Sequence, residues 1–165
     1  MRKADTLGLE ELDLSDGNVG FEPRIVAFTC NWGAYAAADL AGAARVQYPA
    51  GLRIIRVMCS GMVHPGLVME TLENGADGVL LMGCHPGECH YQNGNEKARA
   101  RSAVIEEVLL LMGLEPGRFR LAWCSSAEAE RFAGIVRETE EALKAMGPSR
   151  CRTPIDSNSE SVQCL

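Results

Sequence analysis

The sequence predicts an α/β fold: a single domain with a four-stranded parallel sheet and helices on both faces. Three observations carry this expectation. Strand-like and helix-like segments alternate four times along the chain, the loops between them are a few residues long, and the four apolar runs Arg24–Cys30, Leu52–Cys59, Gly78–Cys84 and Arg118–Cys124 each end on a cysteine. Strands that follow one another through a helix must run parallel, because the crossover returns the chain to the same end of the sheet.

Each element has a local reason. Arg24-Ile25-Val26-Ala27-Phe28-Thr29-Cys30 is the first strand. Asn31 to Val46 reads as a helix on its alanines and Leu40, with Gly33 and Gly42 weakening it. Tyr48-Pro49-Ala50-Gly51 is a turn into the second strand, Leu52 to Cys59. Pro65 suits the first turn of the next helix and Asn74-Gly75 its end. The third strand, Gly78 to Cys84, is a short buried run. Glu96 to Met112 follows as a helix with Val104, Ile105, Val108 and Met112 on its buried face. After the fourth strand, Ser125 and Glu128 have the Ser-x-x-Glu spacing of a capping box. They open a last helix to about Met146, with Phe132, Val136 and Leu143 inward and Gly147-Pro148 as its stop. The pattern is flavodoxin-like or Rossmann-like. It divides the chain into an acidic extension (1–22), the α/β domain (23–147) and a flexible tail (148–165). The extension carries spaced leucines and is expected to order against a partner.

Composition narrows the class. The 165 residues are 47% hydrophobic and 23% charged, as in ordinary globular proteins. A net charge of −6 argues against a nucleic-acid surface, which needs clustered Lys and Arg. No apolar run reaches the roughly 20 residues of a membrane span. No secretory pattern stands at the start, so a cytoplasmic protein is expected. In a reducing compartment its seven cysteines suggest metal binding or reactivity rather than a disulfide framework.

The functional signal centres on Gly83-Cys84-His85-Pro86-Gly87-Glu88-Cys89-His90-Tyr91. Two thiols and two imidazoles lie on one turn, shaped by Pro86 and Gly87. Ligands of open parallel sheets bind beyond the carboxyl ends of the strands, at the switch point in strand order. The fold therefore gathers Cys30, Cys59 and Cys84 at one edge, and the loop returns Cys89 to it. Four thiolates satisfy an iron–sulfur cluster, and zinc accepts the same four. A redox pair of Cys84 and Cys89 is the third reading, and it leaves Cys30 and Cys59 without a role. His85 and His90 are expected to orient the loop or to donate to a cluster sulfur. Cys124 reads as a small buried hydrophobe, Cys151 and Cys164 as free thiols, Trp32 as core packing, His64 as a cap or surface residue, and Lys97, Arg99 and Arg101 as a solvated helix face.

At these residues the sequence resembles the delta subunit of methyl-viologen-reducing hydrogenase. The matching stretches are Ala27-Phe28-Thr29-Cys30-Asn31-Trp32, Arg53-Ile54-Ile55-Arg56-Val57-Met58-Cys59-Ser60-Gly61, Gly75-Ala76-Asp77-Gly78-Val79, and Cys84-His85-Pro86-Gly87 with Cys89-His90-Tyr91. The resemblance implies a 2Fe–2S protein that carries electrons within a complex. It would link a hydrogenase or formate dehydrogenase to the flavin-bearing A-type subunit of heterodisulfide reductase, in electron-bifurcating assemblies of anaerobes. A protein of this kind performs no substrate chemistry alone. One residue departs from the family pattern: Gly33 stands where relatives carry a second cysteine in Cys-Asn-Trp-Cys.

Overall fold

The structure is a computed structural model and describes residues 20–152. Its elements are β1 (Ile25–Cys30), α1 (Ala34–Ala43), β2 (Leu52–Val57), α2 (Pro65–Glu73), β3 (Gly78–Gly83), α3 (Gly94–Leu111), β4 (Phe119–Trp123) and α4 (Ala129–Met146). Two 3-10 turns, Ser60–Met62 and Pro116–Arg118, complete them. The four strands form one parallel sheet in the order β2-β1-β3-β4. The expected α/β architecture is thus the observed one. The proposed N-terminal extension up to residue 19 and the tail beyond residue 152 lie outside the described residues.

Two cores flank the sheet. On one face Ile25 and Ala27 of β1 and Leu80 and Met82 of β3 meet α1 and α4; on the other Phe28, Val79 and Leu81 meet α2 and α3. Alternate residues of each central strand serve opposite cores, which is why β1 and β3 are apolar almost throughout. Along α1 the buried positions are Ala34, Ala37, Ala38 and Ala41, whose small side chains let the helix lie close to the sheet. Phe132, Val136 and Leu143 are buried on α4 as expected.

Several local expectations are corrected. α1 begins at Ala34, because Asn31 to Gly33 turn: the Asn31 N–H donates to the Val57 carbonyl (2.8 Å) and the Gly33 N–H to that of Cys30 (3.4 Å). Gly33 is therefore the N-cap of α1 and not a helix-interior residue. On α3 the buried residues include Ala98, Ile105 and Leu109, while Val104 is exposed. Val104 is one position from Ile105, so it lies about 100° away around the helix. The Ser125 N–H donates to Glu128 Oε2 (2.7 Å), yet the helix opens at Ala129, so this pair closes the turn before α4. α2 starts as expected on Pro65, with the His64 ring accepting the Gly66 N–H (3.1 Å).

The far edge of the sheet is tied by a buried polar network. Asp77 accepts the backbone N–H groups of Arg24 (2.8 Å) and Ser149 (3.0 Å) and bonds the Arg152 guanidinium (2.8 Å). Buried Arg118 donates to the carbonyls of Asp77, Gly147 and Pro148. The packed chain consequently continues past α4 to Arg152, covering Ser149 and Cys151. Cys151 is disulfide-bonded and not the expected free thiol; Cys164 lies outside the described residues. Among the described residues no helix is long and apolar enough to cross a membrane.

Candidate functional site

The strand order decides where the site lies. From β1 the chain crosses to β2 on one side, and from β2 it passes back beyond β1 to β3 on the other. The helices that follow β1 and β3 therefore pack on opposite faces, and a crevice opens between the carboxyl ends of these strands. Cys30 is the last residue of β1, and Cys84 is the first after β3. Their sulfurs are 3.6 Å apart and buried.

A second pair assembles beside the first. Cys59 leaves β2 in extended conformation as the N-cap of the Ser60–Met62 turn. Cys89 comes from the loop after β3, close enough to Cys59 for the two thiols to shift one another's acidity. Both sulfurs lie against the start of α3. A Cβ on Gly94 would run into the Cys59 Sγ and come within 3.2 Å of the Cys89 Sγ. Glycine at the first position of α3 is thus a condition for seating these two thiols.

Burial and mutual repulsion set their acidity. Burial, followed by the neighbouring Cys30, pushes the Cys84 thiol up to about 12. Burial also raises Cys59, with Cys89 and Cys30 adding to it. Cys89 goes the other way. Burial pushes it up, but the backbone N–H groups of Asn95, Tyr91 and Gly94 outweigh this and hold it below the ordinary thiol value. These amides belong to the loop and the first turn of α3, where unpaired N–H groups favour an anion. Each of Cys59 and Cys84 feels a sulfur of the other pair, so the four thiols form one electrostatic group. Among the described residues, no three His, Cys, Asp or Glu side chains form a group that could hold a metal ion as they stand. The thiols stand as two pairs.

The loop is held from both sides. Asn95, buried at the start of α3, donates its side-chain amide to the carbonyls of Cys84 (3.2 Å) and His85 (2.7 Å). His85 Nε2 bonds Glu128 (2.7 Å), linking the loop to the turn before α4. The Ser125 N–H and then His85 keep the Glu128 carboxyl below the usual carboxylate range. The His90 ring stacks on Trp32 with centroids 3.8 Å apart, while its backbone N–H reaches the Cys84 sulfur. Trp32 is not core: it is exposed, and its Nε1–H donates to the Tyr91 hydroxyl (3.4 Å). Arg101 is not purely solvated either, since it donates to the carbonyls of Gly61 and Val63 and braces the turn that carries Cys59.

Other cysteines stay apart. Cys124 is buried in the α1–α4 core with its sulfur 3.6 Å from the carbonyls of Ser125 and Glu128, and burial raises it to about 11. Gly33 faces the crevice: a Cβ there would lie 3.1 Å from the Cys84 Sγ and 2.7 Å from the Cys124 carbonyl oxygen. Sequence reasoning missed Gly94 and Asn95, and read Glu128 as half of a capping box without its bond to His85. Nothing local marks these roles, because they exist only where α3 and the turn before α4 meet the loop.

Residues 25–147 match the family model described as methyl-viologen-reducing hydrogenase, delta subunit. The chain belongs to this family. Among its relatives, the D-type iron-sulfur subunit of the F420-non-reducing hydrogenase of Archaeoglobus profundus is 45% identical over 128 residues, 78% of this chain and 93% of that protein. The corresponding vhc iron-sulfur protein of Methanococcus voltae is also 45% identical, with 89% of its length covered. A different kind of relative is the A-type subunit of the ferredoxin/F420H2-dependent CoB-CoM heterodisulfide reductase of Methanosarcina acetivorans. It is 49% identical over 126 residues, which are 76% of this chain but 16% of that protein. A delta-subunit domain therefore occurs both as a separate chain and as one part of a much longer one.

Proposed function

We propose that this delta subunit is an electron-transfer protein whose four thiols, Cys30, Cys59, Cys84 and Cys89, hold one 2Fe–2S cluster. The observation that carries the reading is the meeting of these thiols at the switch-point crevice: the sulfurs of Cys30 and Cys84 are 3.6 Å apart, and those of Cys59 and Cys89 both lie against Gly94. Two irons bridged by sulfide take two thiolates each, whereas a zinc site asks four donors to converge on one ion. A dithiol enzyme built on Cys84 and Cys89 would need those two sulfurs together, but the sulfur in contact with Cys84 is that of Cys30.

When bound, such a cluster supplies one-electron transfer, and its potential follows from burial and hydrogen bonding at its sulfurs. The chain's own contribution is to hold and shield. β1, β2 and β3 fix the Cα positions of Cys30, Cys59 and Cys84. The His90, Asn95, Tyr91 and Gly94 amides donate to Cys84 and Cys89. Asn95 and the His85–Glu128 bond keep the loop closed.

The partners we propose are hydrogenase or formate dehydrogenase subunits on one side and a flavoprotein like the A-type subunit of heterodisulfide reductase on the other, within an electron-bifurcating complex. Support for the second partner is the domain's occurrence inside a protein named as that heterodisulfide reductase component. Support for the first is the naming of its separate-chain relatives as hydrogenase subunits.

Anaerobic purification with metal analysis tests the cofactor. About two irons and two sulfides per chain are expected, with loss of both on Cys30→Ala, Cys59→Ala, Cys84→Ala or Cys89→Ala and retention in Cys124→Ala. Zinc in a colourless protein, or full iron loading in Cys59→Ala, refutes the assignment.

A further inference from the structure

Trp32 stands in the turn between β1 and α1, two residues after Cys30. The turn is anchored, because the Asn31 N–H donates to the Val57 carbonyl of β2 (2.8 Å). The Trp32 ring is stacked on that of His90, with centroids 3.8 Å apart and planes 16° from parallel. Its Nε1–H donates to the Tyr91 hydroxyl (3.4 Å). His90 and Tyr91 also meet edge to face, with centroids 5.1 Å apart. Three exposed side chains thus form one ordered cluster outside the core.

The two residues that Trp32 holds are also residues that face the sulfurs. The backbone N–H of His90 acts on the Cys84 thiol and that of Tyr91 on the Cys89 thiol, in each case favouring the anion. The two halves of the loop have different supports. Asn95 and Glu128 bond Cys84 and His85, whereas Trp32 reaches His90 and Tyr91 from another chain segment. Just beyond, Gln92 takes a φ of 70°, which residues with a Cβ rarely adopt, and donates its N–H to the Cys89 carbonyl (2.9 Å). A turn in that conformation persists only where its surroundings over-determine it. The stack on Trp32 is such a constraint.

We propose that Trp32 is a positioning residue for the cluster: it clamps His90 and Tyr91 so that their backbone N–H groups stay on the Cys84 and Cys89 sulfurs, and it thereby raises the reduction potential. The proposal rests on the electron-transfer reading and adds to it a residue that sets the potential through its neighbours. One-electron reduction adds negative charge, so N–H dipoles aimed at the ligand sulfurs favour the reduced form. Water favours it too. Removing Trp32 therefore has two effects of opposite sign: a loosened clamp withdraws the dipoles and lowers the potential, whereas a lost shield admits water and raises it. Trp32 is itself 44% exposed and shields little, so the clamp governs the sign.

The test is a redox titration of the anaerobically purified, iron-loaded full chain, followed by its spectrum. Trp32→Ala, His90→Ala and Trp32→Phe are compared with the wild type at equal iron content. The two alanine variants break the stack from either side and leave both backbone N–H groups in the chain. Each is expected to shift the reduction equilibrium about three- to tenfold toward the oxidised form, tenfold being about 59 mV for one electron. Trp32→Phe keeps a stacking ring and is expected within about twofold of the wild type. Hydrogen exchange of the 88–92 segment, measured on the iron-free forms of all four proteins, is the second readout. It is expected to be about tenfold faster in the alanine variants and unchanged in Trp32→Phe. A potential that is unmoved or raised in both alanine variants overturns the clamp, as does unchanged exchange, and either result leaves the electron-transfer reading intact. A wild type that loads no iron overturns the electron-transfer reading and the potential-setting role with it.

Discussion

Gly94→Ala puts the two-pair geometry to a quantitative test. The added methyl would collide with the Cys59 Sγ and lie 3.2 Å from the Cys89 Sγ. Both sulfurs must then move, and both belong to tethered chain segments: Cys59 is followed by the turn braced by Arg101, and Cys89 lies just before α3. Overpacking of this kind costs about 1–3 kcal/mol. Replacing Gly by Ala in a helix returns about 0.5–1 kcal/mol, at most, at this first position. The net expectation is a destabilisation of about 0–2.5 kcal/mol, or a fall in Tm of up to roughly 10 °C for a domain of this size. The fold should survive, so the decisive readout is metal. Iron per chain and the spectrum of the reduced protein are expected to drop or shift although every ligand is still present. Gly42→Ala is the control, because a Cβ there meets nothing within 4 Å; it should leave the spectrum unchanged and raise Tm slightly. Wild-type iron content and an unshifted spectrum in Gly94→Ala would show that the Cys59 and Cys89 sulfurs are not seated on the first turn of α3.

Two further outcomes follow from local geometry. Placing a cysteine at the first turn after β1, by Gly33→Cys, should direct a fifth sulfur toward Cys84 but lower Tm, since its Cβ would lie 2.7 Å from the Cys124 carbonyl oxygen; iron content and the reduced-state spectrum should stay as in the wild type, and a spectrum that moves with the new thiol would mean that four sulfurs do not complete the site. At the opposite end of the sheet, the Arg118 side chain holds the Glu115 carboxyl below its ordinary value of 4.5. A carboxyl lowered in the folded state stabilises the fold above that ordinary value and loses its contribution as pH falls through and below it. Glu115 is largely exposed, so the effect should be under about 1 kcal/mol. Thermal midpoints from pH 7 to pH 3 should fall less steeply in Glu115→Gln than in the wild type, and identical slopes would refute the coupling.

The amino-acid sequence by itself determined the alternation of elements, the parallel sheet and the strand-end cysteines. These are local properties: apolar runs of strand length, helices bounded by Pro65 and Gly147, and a cysteine as the last residue of each run. The dense Cys84–Tyr91 string and its companions at Cys30 and Cys59 also made the family legible, because a run of specific residues at fixed spacing carries information without any contact. Tertiary structure alone decided which thiols meet. Spacing in the sequence offers Cys84 and Cys89 as the candidate dithiol because they are five residues apart; the strand order instead sets Cys84 against Cys30, fifty-four residues away. Strand order depends on which face each crossover helix covers, and the hydrophobic period of a helix is the same for either face. For the same reason the exposure of Trp32, the bond between His85 and Glu128 and the need for glycine at position 94 had no sequence signal. Each is a property of two segments brought together, and exists only once α3 and α4 are packed against the sheet edge.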